Sequence, residues 1–170
     1  MEEVIRIENL FARRSIRKYT NQPVSEEQIE LLLKAAMAAP SAANLKPWHF
    51  IAITSRPILN KLANVHPHGK MLAQAALAIC VCGEPGINER MWVQDCAAST
   101  ENILLAVTGL GLGAVWLGVY PREERMEPIR QVLGIPEHIV PFSLVSIGYP
   151  AETPPPRTQY DETRVHRDVW

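Results

Sequence analysis

Arg13-Arg14-Ser15-Ile16-Arg17 places three guanidinium groups and a hydroxyl within five residues of a chain whose formal net charge is only −1. Guanidinium forks grip phosphate bidentately and stay charged at any working pH. The chemistry on offer is therefore capture of a compact anion. If the segment is helical, Arg13 and Arg17 lie one turn apart on one face, with Ser15 nearby. Taken alone, such a charge run more often marks a solvated helix end. A second segment has a different character: Ala39-Pro40-Ser41-Ala42-Ala43-Asn44-Leu45-Lys46-Pro47-Trp48-His49-Phe50. Its small residues let a planar ligand approach the backbone, Ser41 and Asn44 supply hydrogen bonds, and Pro40 and Pro47 fix the loop's shape. The bland alternative is an ordinary helix-to-strand connection with Trp48 in the core.

The elements around these segments are legible from periodicity. Val4, Ile7, Leu10 and Phe11 repeat at helical spacing and predict a helix ending near the arginines. Ser25-Glu26-Glu27-Gln28 reads as a capping box ahead of Ile29, Leu32, Leu33 and Ala36. Strands are expected at 48–54, 77–82, 114–120 and 142–148, with short helices at 57–63 and 70–75 and another helix at 122–133 stopped by Gly134. Residues 88–110 form the longest predicted helix, apolar nearly all round and hence central. Its Asp95, Ser99 and Asn102 make a polar stripe, read as an internal or interface network in preference to a substrate contact.

Composition narrows the classes. A chain of 170 residues, 47% hydrophobic and 21% charged, suits one globular domain that buries roughly 70% of its unfolded surface. No apolar run reaches the 18 or so residues of a membrane span, and Met1-Glu2-Glu3 is unlike a cationic export signal, so a cytoplasmic location is expected. The near-neutral charge gives no reason to expect nucleic acid. Three cysteines argue against a disulfide framework. Cys80 and Cys82 fall on one face of a strand as buried hydrophobes, and His66-Pro67-His68 lacks a spaced third ligand, so no metal is expected. From Ala151 the chain loses apolar periodicity, and a proline-rich tail of this kind cannot build its own core.

In this order, the two segments resemble the nitroreductase family of flavin mononucleotide (FMN) enzymes. The resemblance continues through Lys70 in Gly69-Lys70-Met71-Leu72, then Trp92-Val93-Gln94-Asp95, Thr100-Glu101-Asn102 and Gly109 to Gly118. It closes with Ile147-Gly148-Tyr149-Pro150 and a tail carrying Arg164 and Arg167. It implies an α+β fold with a mainly antiparallel sheet flanked by helices. It also implies an intertwined homodimer with FMN sites at the subunit boundary, residues 151–170 embracing the partner. Arg13, Arg14, Ser15 and Arg17 would hold the phosphate and the pyrimidine edge of the flavin. Pro40, Ser41, Ala42 and Asn44 would come from the other subunit, Lys70 would lie near the flavin, and Trp116, Leu117 and Gly118 would press on one ring face. Arg167, helped by Arg164, would return to the phosphate. Two positions depart from the family pattern: Lys46 replaces a common glutamine, and Pro67 replaces an asparagine three residues before the lysine.

The activity implied is hydride transfer from NADH or NADPH through the flavin to nitroaromatics, quinones or similar small acceptors in ping-pong order. No side chain serves as a catalytic group, because the cofactor carries the chemistry. The same scaffold also supports flavin storage or fragmentation and reductive dehalogenation, which stay open at this level. A small interaction domain whose arginines dock acidic partners is the reading from a different class.

Overall fold

The computed structural model describes residues 7–170; Met1–Glu3 and Val4 lie outside the described residues. Four strands, β1 (Trp48–Ile53), β2 (Leu77–Gly83), β3 (Gly113–Gly118) and β4 (Val140–Gly148), form one sheet in the order β1-β2-β4-β3, every pair antiparallel. Five helices pack around it: α1 (Ile7–Ala12), α2 (Glu26–Met37), α3 (Arg56–Val65), α4 (Trp92–Gly109) and α5 (Glu123–Leu133). The α+β fold with its antiparallel sheet is the one the resemblance implies.

Both sheet faces are covered. On one face, α2 and α4 pack Leu32, Ala36, Ile103 and Val107 against Leu77, Ile79, Val81, Val145 and Ile147. On the other, α3 and α5 pack Leu59, Leu62, Met126 and Ile129 against Ala78, Cys80, Val115, Leu117 and Leu144. Double coverage explains why all seven residues of β2 are buried: a strand packed on both faces has no polar side to alternate with.

Ser25 caps α2 as its sequence predicts. Its side chain accepts from the Gln28 N–H and the Gln28 side chain returns to the Ser25 N–H. The longest helix begins at Trp92, four residues later than expected, and ends at Gly109. Gly111 then takes φ +69°, where a side chain would be strained, and turns the chain into β3. Gly134 at φ +65° ends α5 in the same left-handed way.

The polar stripe of α4 joins it to the end of α2. The Ser99 hydroxyl donates to the Ala36 carbonyl and the Asn102 amide to the Ala35 carbonyl, both at 2.9 Å. These carbonyls belong to the last turn of α2, where the only backbone donors are the short-range N–H groups of Ala38 and Ala39 at 3.2 and 3.3 Å. The internal-network reading of Ser99 and Asn102 holds.

Candidate functional site

Strand β3 lies at the margin of the sheet, and its alternation decides what it offers. The Ile16 N–H donates to the Ala114 carbonyl at 2.8 Å, and the Val119 N–H turns the other way, to Phe142 of β4 at 3.2 Å. Even-numbered residues of β3 therefore aim both backbone groups at the outer edge, and odd-numbered ones aim them at β4. The segment around Ser15 pairs with β3 only at Ala114. Beyond it, Trp116 and Gly118 present N–H groups to an edge their own sheet does not use.

Gly118 adds a second observation. It is exposed, and a Cβ there would meet no atom within 4 Å. By contrast, a Cβ at Gly113 or Gly148 would collide with Ile16 or Tyr19 at 2.7 and 2.9 Å. Packing inside the chain thus accounts for those two glycines and not for Gly118. A bare backbone donor on an open edge suits close approach of a flat ring with a hydrogen-bond acceptor. Trp116 tilts against Phe142, ring centroids 6.0 Å apart. Leu117 departs from its expected role, because its side chain is buried in the core beneath the sheet. What it can offer is the peptide it shares with Gly118.

The arginine segment is not helical. Helix α1 ends at Ala12, and residues 13–18 run extended past the start of β3. The one-turn, same-face geometry is corrected accordingly. Arg13 and Arg14 both line one cleft, whereas Ile16 turns into the core, where it is buried. Tyr19 pins the segment, its hydroxyl lying 2.8 Å from the Ile16 carbonyl and 3.0 Å from that of Ser146. Burial pushes this phenol up to about 12, with the Ser146 hydrogen bond and Arg17 opposing.

Two guanidinium groups of the segment, and two of its backbone N–H groups, already hold partners. Arg13 lies 3.9 Å from Glu101 of α4, a carboxyl that half-burial pushes above its ordinary value and Arg13 pulls back. Arg14 donates to the Pro155 carbonyl. The Glu152 carboxylate accepts from the N–H groups of Arg17 at 2.6 Å and Lys18 at 3.2 Å. A cleft of about 220 Å³ opens here between Arg13, Arg14, Leu104, Thr108 and Pro154. That is smaller than ordinary ligand pockets, which hold roughly 300–1,000 Å³.

The second segment sits elsewhere. Pro40, Ser41, Ala42 and Asn44 connect α2 to β1, with Ala43, Asn44 and Lys46 at φ of 51°, 57° and 52°. Left-handed non-glycine residues persist only where surroundings impose them. Here the Asp95 carboxylate accepts from the Ala42 N–H at 3.0 Å, and the Ser41 hydroxyl accepts from the Lys46 N–H at 3.0 Å. Asp95 lies in the first turn of α4, whereas Glu101, Leu104 and Thr108 contact or line the arginine region. At 1.5 Å per residue the two half-sites are about 9–20 Å apart along α4. A single chain does not bring them together.

Lys70 opens a short 3-10 turn (Lys70–Ala73) and is exposed. Arg56 fixes that turn by donating to the carbonyls of Leu72, Ala73 and Ala75. The tail follows the arginine segment as far as Arg157, whose N–H donates to the Phe11 carbonyl at 3.0 Å. Residues 159–170 are exposed. Arg164 pairs with Asp161 at 3.0 Å, and neither Arg164 nor Arg167 lines the cleft beside Arg13. Sequence reasoning singled out neither the Glu152 carboxylate that takes the Arg17 N–H nor the two groups beside the Gly118 carbonyl, His66 Nε2 at 3.1 Å and the Arg125 guanidinium at 2.8 Å. A glutamate just past the last strand carries no motif, and His66 suggested only a metal ligand. Among the described residues no group of three such ligands gathers, and no helix is long and apolar enough to cross a membrane.

A cationic segment lies beside a strand edge with spare donors and a bare glycine, an arrangement that suits a phosphorylated, planar ligand. Comparison with known proteins gives the family. The nitroreductase family model matches residues 10–67 and 62–149. A protein of Archaeoglobus fulgidus, provisionally named NADH dehydrogenase/NAD(P)H nitroreductase, is 50% identical over the whole of both chains. The oxygen-insensitive NADPH nitroreductase of Salmonella typhimurium is 32% identical over 87% of this chain and 67% of its own length. Among solved structures, an FMN-dependent nitroreductase of Clostridium difficile is 31% identical and superposes with a TM-score of 0.91, over 97% of this chain and all of the other. The chain belongs to the nitroreductase family.

Proposed function

We propose that this chain is an FMN-dependent NAD(P)H oxidoreductase that works as a homodimer and reduces planar, electron-poor acceptors such as nitroaromatics and quinones in ping-pong order. The observation that carries this reading is the β3 edge at Gly118, where a free N–H and a missing side chain coincide without a packing reason. Flavin bound there supplies hydride acceptance and donation.

The chain's own residues bind and orient. Arg13, Arg14, Ser15 and Arg17 gather three cations and a hydroxyl in one short segment and suit a phosphate of nearly two charges. A cation at the pyrimidine edge favours the charge of the reduced ring. Trp116 and Gly118 supply edge donors and, having no side chain between them and solvent at Gly118, leave room for a ring. The separation of the two half-sites along α4 supports a dimer in which the loop bearing Pro40, Ser41, Ala42 and Asn44 comes from the second copy. Exposed Ile7, Leu10, Phe11, Leu31 and Met37 give that copy an apolar surface to cover, and the tail beyond Arg157 is free to reach across with Arg164 and Arg167.

The test is spectroscopic. Purified protein, reconstituted with FMN if needed, should show flavin absorption. Under anaerobic conditions NADH or NADPH should bleach it, and a quinone or nitroaromatic should restore it. Colourless protein after reconstitution would sink the cofactor reading. Bleaching by dithionite but by neither nicotinamide would leave a flavoprotein that takes its electrons from another donor.

A further inference from the structure

Just past β4 the chain turns back along the arginine segment. The Thr20 N–H donates to the Tyr149 carbonyl at 2.9 Å and the Ala151 N–H to the Lys18 carbonyl at 2.8 Å. This pairing delivers the side chain of Glu152. Its Oε1 accepts from the N–H of Arg17 at 2.6 Å and from that of Lys18 at 3.2 Å. Successive backbone N–H groups converging on one oxygen form a small anion-binding concavity, and here the chain's own carboxylate fills it.

The two N–H groups belong to the two peptides that flank the Arg17 Cα. Each peptide is planar, so holding an N–H on either side restrains φ and ψ at Arg17, and with them the direction of its Cα–Cβ bond. The Tyr19 hydroxyl also steadies the first peptide, through the Ile16 carbonyl at 2.8 Å. Among the described residues, Glu152 is the one hydrogen-bond partner of the second. Arg17 itself is exposed. Its guanidinium meets no acceptor among the described residues, whereas Arg13 pairs with Glu101 and Arg14 with the Pro155 carbonyl.

We propose that Glu152 is a positioning residue: by holding the backbone on both sides of Arg17, its carboxylate sets the root of the one guanidinium in the cluster that is still available, and so pre-orders Arg17 for bound FMN. Groups ordered before binding lose less freedom when the ligand arrives. The inference rests on the flavin reading above. It goes further by giving an acidic residue, whose charge alone would repel a phosphate, a favourable part in binding one.

The test is a double-mutant cycle read by FMN titration of the apoprotein. Glu152→Ala should weaken FMN binding about tenfold, the size of one lost hydrogen bond. Glu152→Gln, which keeps an acceptor oxygen and loses the charge, should bind at least as tightly as wild type. In an Arg17→Ala background, Glu152→Ala should change affinity less than about twofold, because residues that act through one another are not additive. An undiminished tenfold loss in that background would mean that Glu152 braces the segment as a whole, and would overturn the proposal. So would an Ala variant that binds FMN as tightly as wild type or tighter, the mark of a carboxylate that only repels. If Glu152→Ala does not fold, Glu152→Asp, which keeps the charge and draws the oxygen back by one methylene, takes its place in the cycle with the same expected pattern. Wild-type protein that binds no FMN would sink the flavin reading and this inference with it, whereas wild type that binds FMN with an additive cycle overturns the inference alone.

Discussion

The β3 edge and the arginine segment are the two halves of one proposed site, and they are built differently. The edge is complete within one chain. Its strand is laddered to β4, its core side is filled by Leu117 and Val115, and the Gly118 carbonyl is held by His66 and Arg125. The arginine segment is anchored by Tyr19, but Arg13 and Arg14 spend their charge on their own chain, through Glu101 and Pro155, while Glu152 takes the backbone N–H of Arg17. Its expected complement, the 40–44 loop, is tied to the far end of α4. On the proposed reading, ring recognition is pre-set by the fold, whereas phosphate recognition would require contacts to be exchanged and a second chain to arrive.

Removing charge from the weaker half is the strongest way to break this comparison. Arg13→Ala with Arg17→Ala should reduce FMN affinity by two or more orders of magnitude, at about 1.5–3 kcal/mol per lost charged contact. Fluorescence titration of apoprotein with FMN measures it. Unchanged affinity would place the phosphate away from this segment.

Truncation of residues 159–170 comes next. The hydrogen bonds these residues make are internal to the stretch, as from Arg164 to Asp161 and Val169 to Arg167. The shortened chain should keep its far-ultraviolet circular dichroism. It should lose roughly 10- to 100-fold in FMN affinity, given one or two lost charged contacts, and sediment increasingly as monomer. Wild-type affinity in a truncated monomer would mean that one chain completes the phosphate half after all.

How much of this was legible in the sequence follows the range of the interactions. The capping box at Ser25, the helix stop at Gly134 and the apolar run of β2 are local signals, and the elements they predict are the elements observed. The arginine cluster was visible as charge, but its conformation was not. Extended backbone there depends on pairing with Ala114, about a hundred positions along the chain. The Gly118 edge was found through resemblance, whereas the meeting of His66 and Arg125 at its carbonyl brings together three elements that no periodicity links. Leu117 shows the converse error, since a motif names neighbours together although strand alternation sends adjacent residues to opposite sides.

The anchoring of the arginine segment should also show in pH dependence. Burial raises Tyr19 to about 12 from an ordinary 10. Below pH 10 the phenol is neutral in both states and its full contribution is present. Between pH 10 and 12 the unfolded chain ionises while the native chain does not, so stability falls by roughly 2 kcal/mol. Denaturant titrations across that window should show a smaller loss in Tyr19→Phe than in wild type. Equal losses would mean that other groups govern alkaline unfolding.

The smallest expected effect separates loop support from loop charge. Asp95 is buried at 5% exposure, accepts from the Ala42 N–H through Oδ1, and leaves Oδ2 without a partner. Asp95→Ala removes the acceptor, stranding an N–H in a loop with three left-handed residues, and should cost roughly 1–3 kcal/mol. Asp95→Asn keeps an acceptor and removes a buried charge, so its cost should be under about 1 kcal/mol. Urea unfolding at one protein concentration distinguishes them. If Asn proves as costly as Ala, the carboxylate's charge matters in itself, and the spare Oδ2 must meet a donor in the assembled dimer. The 40–44 loop would then depend on the second chain as the arginine segment does, and the division between a finished half and a waiting half would have to be redrawn around β3 alone.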